Sequence, residues 1–172
     1  MIKDSAREEN WCQINSYFDV PADMWCNNAI STLTKMGILS GYPDGTFRPT
    51  QPVNRDAMAA FMYRFAGRPE FTPPAVSPFT DLSADTQFYL EVSWLADEGI
   101  SEGWDDGTFR PVTPVNRDAM AAFMYRFAGK PGHTVPATSP FADVAPASQF
   151  FSEITWLAAQ QISTGWAEAD GS

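Results

Sequence analysis

Two arginines stand where the sequence predicts the start of a helix, and with the backbone amides there they could bind an anion. Arg55 and Arg117 lie in the segment PVNRDAMAAFMYRFAG, which occurs unchanged at residues 52–67 and 114–129. A guanidinium can grip a carboxylate with two parallel N–H bonds, and the first N–H groups of a helix attract the same charge. The alternative is that each arginine is a solvated surface residue.

A glycine-rich loop carrying an aromatic residue and an aspartate precedes each of these helices. The loop residues are Gly41, Tyr42, Asp44 and Gly45 in the first copy, Gly103, Trp104, Asp106 and Gly107 in the second, and Trp166 at the corresponding place in a third. Glycine allows another group to approach the backbone closely. The alternatives are that the aromatic rings pack in the core and that the Asp-Gly pairs serve only to form tight turns.

The helices that would position the arginines carry their own start and stop signals. Asn54 and Asn116 are predicted N-caps, with a side-chain carbonyl available to a free backbone N–H. We include both asparagines and Trp166 among the candidate ligand-binding residues. The spacing of Met58, Phe61, Met62 and Phe65 predicts an apolar face, with the same face repeated at Phe123, Met124 and Phe127.

The repeated segments share an offset of 62 residues, and this period divides the chain. We predict a lead-in at 1–16, a first unit at 17–78, a second unit at 79–140 and a truncated third unit at 141–172. Each unit contains a first helix, a glycine-rich loop with a short strand, and a second helix, so the fold is predicted to be mainly α. Gly37 and Gly99 would end the first helices in a left-handed conformation, with Gln161 in that place in the third unit.

The first helices also show a helical apolar stripe. In the third unit it comprises Phe150, Ile154 and Leu157. Because the second helix of that unit is missing, we expect apolar exposure near these residues unless the lead-in or a partner covers them.

Composition excludes some classes of protein. The 172 residues carry a formal net charge of −10, which argues against nucleic acid as a partner. No apolar run is long enough to span a membrane. The lead-in lacks the apolar stretch of a signal peptide, so we expect any export signal to lie upstream or to have been removed. Cys12 and Cys26 are either two thiols or a disulfide, and Cys26 should point toward the core because Phe88 and Phe150 hold its position elsewhere.

Motifs for catalysis and for metal binding are missing from the sequence. GxSxG, HExxH and the phosphate-binding loop do not occur, and His133 is the sole histidine, in a proline-rich linker. The acidic turn at Asp105 and Asp106 lacks the ligand spacing of an EF-hand. We therefore predict a protein without enzymatic activity and without a cofactor; a calcium-binding module is a less favoured alternative.

The order of these motifs resembles the S-layer homology repeat. The segments that carry the resemblance are YFDV at 17–20, the helix ending in Gly-Ile, GYPDGTFRP at 41–49, and the Asn-Arg-Asp-Ala helix start, and it extends over residues 17–172. The resemblance implies three repeats around a pseudo-threefold axis in a secreted protein that is anchored to the bacterial cell wall. It implies a secondary cell wall polysaccharide as ligand, often carrying pyruvate ketals, with Arg55, Arg117 and the glycine–aromatic–Asp–Gly loops as binding residues.

The chemistry of such a ligand fits these residues. A pyruvate ketal places a carboxylate on a sugar, which an arginine can hold; the aromatic faces suit the sugar's C–H surface, and aspartates can accept from hydroxyls. One departure is that the family's Thr-x-x-Glu capping box is Asn54-Arg55-Asp56-Ala57 here, and the shifted carboxylate can change which anion fits. The alternative function is a structural protein–protein module at the cell surface. A catalytic or surface-layer domain can be fused elsewhere in the full-length protein.

Overall fold

The computed structural model describes residues 17–166 and shows five α-helices there. They are α1 Asn27–Lys35, α2 Arg55–Phe65, α3 Tyr89–Asp97, α4 Arg117–Phe127 and α5 Phe151–Ala159. The predicted mainly helical fold is confirmed, with two helices in each of the first two units and one in the third. The lead-in with Cys12 lies outside the described residues, so the state of the cysteine pair is left as predicted, as either thiols or a disulfide.

Helices pair across units: α2 packs on α3, and α4 packs on α5. The second helix of one unit therefore supports the first helix of the next. The same aromatic pair marks both interfaces, because Tyr63 meets Trp94 edge-to-face at 5.4 Å between ring centroids and Tyr125 meets Trp156 at the same distance. This pairing makes the units interdependent rather than separate bodies.

The larger core cluster lies between α2 and α3 and draws in the second unit's loop and α4. Its buried members are Ala59, Met62, Phe79, Leu82, Tyr89, Val92, Trp94, Leu95, Ile100, Phe109 and Phe123. A smaller cluster of Ala121, Trp156 and Leu157 joins α4 to α5. The loop of the second unit is thus part of the core through Phe109, which is fully buried.

The predicted inward face of α2 is wrong in part. Phe65 is 58% exposed and Phe61 is half-buried, whereas Ala59 and Met62 are buried together with Arg55. These three follow i, i+4, i+7 spacing, so the buried face includes the arginine and small residues that allow α3 to approach closely. The Phe65 ring packs instead on Phe127, with 5.6 Å between centroids.

The ends of the first helices are as predicted. Gly37 and Gly99 have φ values of 68° and 62°, and Gln161 adopts the same left-handed conformation at 59°. A residue with a Cβ is disfavoured there, so the glutamine ends its helix at a cost that glycine avoids.

The first-helix stripe is better covered than predicted, since α4 packs on α5. Leu157 is 4% exposed, while Phe150 and Ile154 are half-buried, so the expected exposure is wrong for Leu157. Cys26 is half-buried as well. Its backbone lies in the right-handed region, whereas Phe88 and Phe150 have φ values of 60°, so the three positions are not structurally equivalent.

The short strand expected in each loop is not formed within residues 17–166, because the loop backbone turns there and Arg48 and Arg110 have φ values of 61° and 58°. One isolated antiparallel bridge joins Asn54 to Pro114. The Val115 N–H donates to the Val53 carbonyl at 2.9 Å beside this bridge. The segments that lead into α2 and α4 therefore run against each other, which brings the two helix starts together.

No helix within residues 17–166 has the length and apolar character needed to cross a membrane.

The linker after α4 contacts α5 through His133, whose Nε2 lies 3.1 Å from the Thr155 hydroxyl.

Candidate functional site

Arg55 lies at the first position of α2 with its guanidinium among aromatic rings. Its Cζ is 4.2 Å from the centroid of Trp104, 4.6 Å from that of Phe109 and 5.3 Å from that of Phe123. The residue is 7% exposed. Cation–π attraction is strongest for such desolvated pairs, so the rings stabilise a charge that water no longer reaches freely. The interpretation of Arg55 as a solvated surface residue is therefore wrong.

Hydrogen bonds fix the orientation of this guanidinium. Nε donates to the Phe109 carbonyl at 2.8 Å, and Nη2 donates to the Ser101 hydroxyl at 3.2 Å. No carboxylate of residues 17–166 forms a salt bridge with Arg55. Burial, together with the nearby charge of Arg110, lowers the pKa of Arg55 to about 10, so it remains protonated at neutral pH. Within the described part of the chain, Arg55 is therefore a positive charge with no carboxylate in salt-bridge contact, although the charge of Asp81 acts on it from farther away.

The groups that surround Arg55 come from the following unit, not from its own. The sequence places Tyr42 in the loop just before α2, yet the aromatic residue of the site is Trp104. Arg117 repeats the arrangement: its Nη2 donates to the Ser163 hydroxyl at 3.2 Å, and its Cζ lies 5.2 Å from the Trp166 centroid. Each arginine is thus paired with the loop of the next unit.

The Arg117 site is more open than the Arg55 site. Arg117 is exposed and borders a cleft of about 740 Å³. Besides Arg117, the cleft is lined by the acidic side chains of Asp118 and Asp143 and by the aromatic rings of Phe141 and Trp166. Neither Asp118 nor Asp143 forms a salt bridge with Arg117. An anion with a sugar-sized body could therefore reach Arg117 from solvent.

The backbone amides of α2 are not available to an anion. The Arg55 N–H donates to the Thr113 carbonyl and the Asp56 N–H to the Pro111 carbonyl, each at 3.0 Å. The Ala57 N–H is satisfied by the Asp56 carboxylate at 2.6 Å. The expectation of free helix N–H groups at Arg55 is therefore wrong, because the second unit supplies their acceptors.

Asn54 and Asn116 occupy the N-cap positions as predicted, but neither side chain makes the predicted capping bond. In α4 the Asp118 carboxylate accepts from the Ala119 N–H at 2.7 Å, as Asp56 does in α2. The first-turn aspartate therefore satisfies a donor that the asparagine was expected to reach.

In the glycine-rich loops, the aspartates are engaged within their own turns. Asp106 accepts from the backbone N–H and the hydroxyl of Thr108, at 3.0 and 2.6 Å, and from Nη2 of Arg110 at 2.8 Å. Asp44, Thr46 and Arg48 repeat this geometry. The turn-forming role predicted as an alternative for these aspartates is visible directly. The loop arginines also differ from Arg55, because a carboxylate partly neutralises each of them.

These bonds predict how the loops respond to acid. Hydrogen bonds from Thr108 and Arg110 lower the pKa of Asp106 to about 2, and those from Thr46 and Arg48 do the same for Asp44. Because the folded pKa lies below that of the unfolded chain, the stabilising effect is present above pH 4 and disappears as pH falls through about 2.

We expect the amide NMR signals of Thr46 and Thr108 to keep their positions at pH 4 and to shift with midpoints near pH 2. The Asp106→Asn variant, which cannot titrate, should lose the Thr108 transition alone. Midpoints near pH 4 for both threonines would contradict the geometry of the turns.

The faces of the aromatic loop residues are partly covered by guanidinium groups. Arg48 Cζ lies 3.8 Å from the Tyr42 ring centroid, and Arg110 Cζ lies 4.5 Å from that of Trp104. Trp104 therefore contacts two arginines, since Arg55 also packs on it. Both rings remain partly exposed, at 41% for Tyr42 and 36% for Trp104.

Close packing requires most of the glycines of these loops, and a positive φ of 77° favours glycine at Gly107. A Cβ at Gly103, where φ is 73°, would lie 2.6 Å from the Phe79 ring and 2.7 Å from the Thr108 carbonyl oxygen. Gly41, Gly45, Gly107 and Gly165 hold the corresponding turns. The Trp104 N–H donates to that same Thr108 carbonyl at 2.9 Å, so Gly103 shapes the turn that presents the indole.

Two sets of residues were missed by the sequence-based predictions. Asp81 holds the second loop by accepting from the backbone N–H groups of Phe109 and Arg110 at 2.8 and 2.7 Å, and Asp19 does the same in the first loop. An aspartate at this register in all three units was the available signal. The serines that accept from the arginines, Ser101 and Ser163, carried no recognisable signal. Among residues 17–166, no three His, Cys, Asp or Glu side chains are grouped as a metal site.

Comparison with protein families gives two matches within the chain. The S-layer homology domain matches residues 16–59 and 78–121, which together make up just over half of the sequence. Both matched segments contain a first helix, a glycine-rich loop and the start of a second helix. The second match therefore includes the residues from Trp104 to Arg117.

Individual relatives are surface proteins of bacteria. The chain is 33% identical over 94 residues to cell surface glycoprotein 1 of Acetivibrio thermocellus, and 44% identical over 52 residues to the outer membrane protein SlpA of Deinococcus radiodurans. It is 28% identical over 96 residues to a cellulosome-anchoring protein of Acetivibrio thermocellus. These alignments cover 54%, 30% and 55% of the chain, but only 4%, 4% and 22% of the respective relatives.

Proposed function

Because the chain belongs to the S-layer homology domain family, we propose that it is a non-catalytic module that anchors its protein to the bacterial cell wall. Its ligand in this proposal is an anionic secondary cell wall polysaccharide, for instance one that carries pyruvate ketals. Arg55 and Arg117 bind the anionic group, and the loops with Trp104 and Trp166 contact the sugar. Family membership supports a location at the cell wall or cell surface.

The observation that carries the proposal is that, among residues 17–166, no carboxylate forms a salt bridge with either arginine. Arg48 and Arg110 have carboxylate partners at 2.9 and 2.8 Å, whereas Arg55 and Arg117 are held by neutral groups. Holding a buried cation without a counterion costs free energy, and an anionic ligand would remove part of that cost. This argument applies to Arg55, which is buried; Arg117 is exposed, and its charge is open to an anion from solvent.

The surrounding groups suit a sugar that carries the anion. In the Arg55 site, Nη1 has no hydrogen-bond partner among residues 17–166, so it is free to donate to a carboxylate. In the Arg117 site, neither Nε nor Nη1 has a hydrogen-bond partner among residues 17–166. The partly exposed indoles offer the apolar surface that pyranose C–H groups prefer. Among the relatives, one is named for anchoring cellulosomes and others for the cell surface, in agreement with this role.

The proposal is tested by co-sedimentation with purified wall sacculi, before and after acid treatment that removes the secondary polymer. We expect the protein to pellet with untreated sacculi and to remain in solution with the stripped ones. Equal sedimentation with both preparations would contradict polymer recognition. Sedimentation that persists in high salt would indicate that bulk charge does not account for binding.

A second candidate function is a protein–protein contact, and exposed aromatic residues favour it. Phe18 and Trp25 are 88% and 94% exposed, and the corresponding residues of the second unit are the polar Thr80 and Gln87. Apolar residues mark an interaction surface where they form a patch, and an aromatic residue at both of these positions occurs only in the first of the three units. Loss of surface attachment in a Phe18→Ala/Trp25→Ala double variant that still pellets with sacculi would favour this function.

A further inference from the structure

We infer that Ser101 and Ser163 are the positioning residues of the two arginine sites, each fixing a guanidinium in the orientation that receives an anionic sugar. The inference rests on the proposed function and adds the residues that set its arginines. The Ser101 hydroxyl accepts from Nη2 of Arg55 at 3.2 Å, and the Ser163 hydroxyl accepts from Nη2 of Arg117 at the same distance. One geometry is thus built twice from residues 46 positions apart.

The backbone delivers the two serines to their places in the same way. The N–H of Ser101 donates to the carbonyl of Leu95 at 3.2 Å, and that of Ser163 donates to the carbonyl of Leu157 at 3.5 Å. Both bonds follow directly from the left-handed residue that ends the first helix, two positions earlier. The end of a helix therefore sets the position of the hydroxyl, and the serine reaches the arginine without depending on a flexible side chain.

The first unit shows what the same position looks like without a hydroxyl. The Leu39 N–H donates to the Leu33 carbonyl at 3.2 Å, so its backbone is placed as those of the serines are. Its side chain cannot accept a hydrogen bond. The loop that carries Tyr42 therefore offers no such acceptor to an arginine, which makes it different in kind from the loops that carry Trp104 and Trp166.

A neutral acceptor matters because it orients the arginine without cancelling its charge. A carboxylate at the same place would form the charge-assisted pair seen between Arg110 and Asp106, and the arginine would then have less to gain from a ligand anion. A hydroxyl occupies one N–H group and leaves the net charge intact. At Ser101, which is 2% exposed, little water competes for that bond.

The test uses the tryptophan of each site as its own reporter. A methyl pyranoside bearing a pyruvate ketal is titrated into the ¹⁵N-labelled protein, and the indole N–H signals of Trp104 and Trp166 are followed by NMR. We expect Ser163→Ala to weaken the affinity measured from the Trp166 signal two- to tenfold. The affinity measured from the Trp104 signal should not change. Ser163→Thr, which keeps the hydroxyl, should retain the wild-type affinity.

Two further variants separate orientation from packing. Ser163→Asp should lower the affinity measured from the Trp166 signal more than Ser163→Ala does, because a carboxylate neutralises Arg117. Leu39→Ala removes side-chain volume at the corresponding position of the first unit and should leave both affinities unchanged. Ser163 is only partly buried, so melting temperatures of its variants should stay close to that of the wild type.

The possible failures are distinguishable. If Ser163→Ala binds as the wild type does, or if Ser163→Thr is as weak as Ser163→Ala, the positioning role is overturned while the proposed function stands. If neither indole signal of the wild type responds and the protein does not pellet with sacculi, the proposed function fails and this inference fails with it.

Discussion

Replacing Phe123 with alanine is expected to lower the free energy of unfolding by about 3–5 kcal/mol. The Phe123 ring is 4% exposed and belongs to the larger core cluster, which also includes residues of α2 and α3. It also lies 5.3 Å from the guanidinium carbon of Arg55. Deleting the ring would leave a cavity beside a buried cation, and urea or thermal denaturation would measure the loss.

The matched control is Phe61→Ala, at the same position of a helix with the same sequence. Phe61 is only half-buried, so its loss should lower the free energy of unfolding by about 1–2 kcal/mol. Equal losses of stability in the two variants would show that Phe61 and Phe123 are equally buried in solution, and would contradict the difference in burial described above.

This pair of residues also shows what the sequence could and could not predict about the fold. The positions of the five helices within residues 17–166, the glycine ends of α1 and α3 and the mainly α class followed from apolar spacing and from the glycine signals. The inward face of α2 did not, because the prediction assumed that the largest apolar side chains point to the core. Arg55 and Ala59 occupy that face instead, and an alanine signals close helix approach only when the partner helix is known.

The candidate site was predictable in its parts but not in its assembly. The arginines and the glycine loops were recognisable because the chain repeats them. Their pairing across units was not, because a 62-residue period does not say whether a loop serves its own helix or the preceding one. The hydrogen bonds from Arg55 to Ser101 and Phe109 span 46 and 54 residues, and local pattern carries no information at that range.

The same geometry explains why the two arginines should respond differently to substitution. Arg55 donates to two groups that are themselves almost fully buried, the Phe109 carbonyl and the Ser101 hydroxyl. Arg55→Ala would leave both without a donor, so it should reduce stability by about 1–3 kcal/mol as well as binding. Arg117 is exposed and makes a single hydrogen bond within residues 17–166, so its removal should affect binding with little loss of stability.

Arg117→Ala is therefore the decisive variant for the site, with an expected ten- to hundredfold loss of affinity for wall polymer, about 1.4–2.8 kcal/mol. Its melting temperature should stay within a few degrees of the wild type. Arg117→Lys should restore only part of the affinity, because an ammonium lacks the planar fork that binds a carboxylate through two bonds. Sedimentation with sacculi over a range of protein concentrations would measure all three proteins.

The control is Arg126→Ala, which removes the same charge from the other end of α4. Arg126 donates to the Ile100 carbonyl at 3.3 Å and lies in the last turn of the helix, away from the serine and indole that surround Arg117. If bulk positive charge attracted the polymer, the two alanine variants would bind equally weakly, because each lowers the net charge by one unit. A loss confined to Arg117→Ala would instead require a local anion site at the helix start, since the two variants change the net charge equally and differ in where the guanidinium lies and which groups surround it.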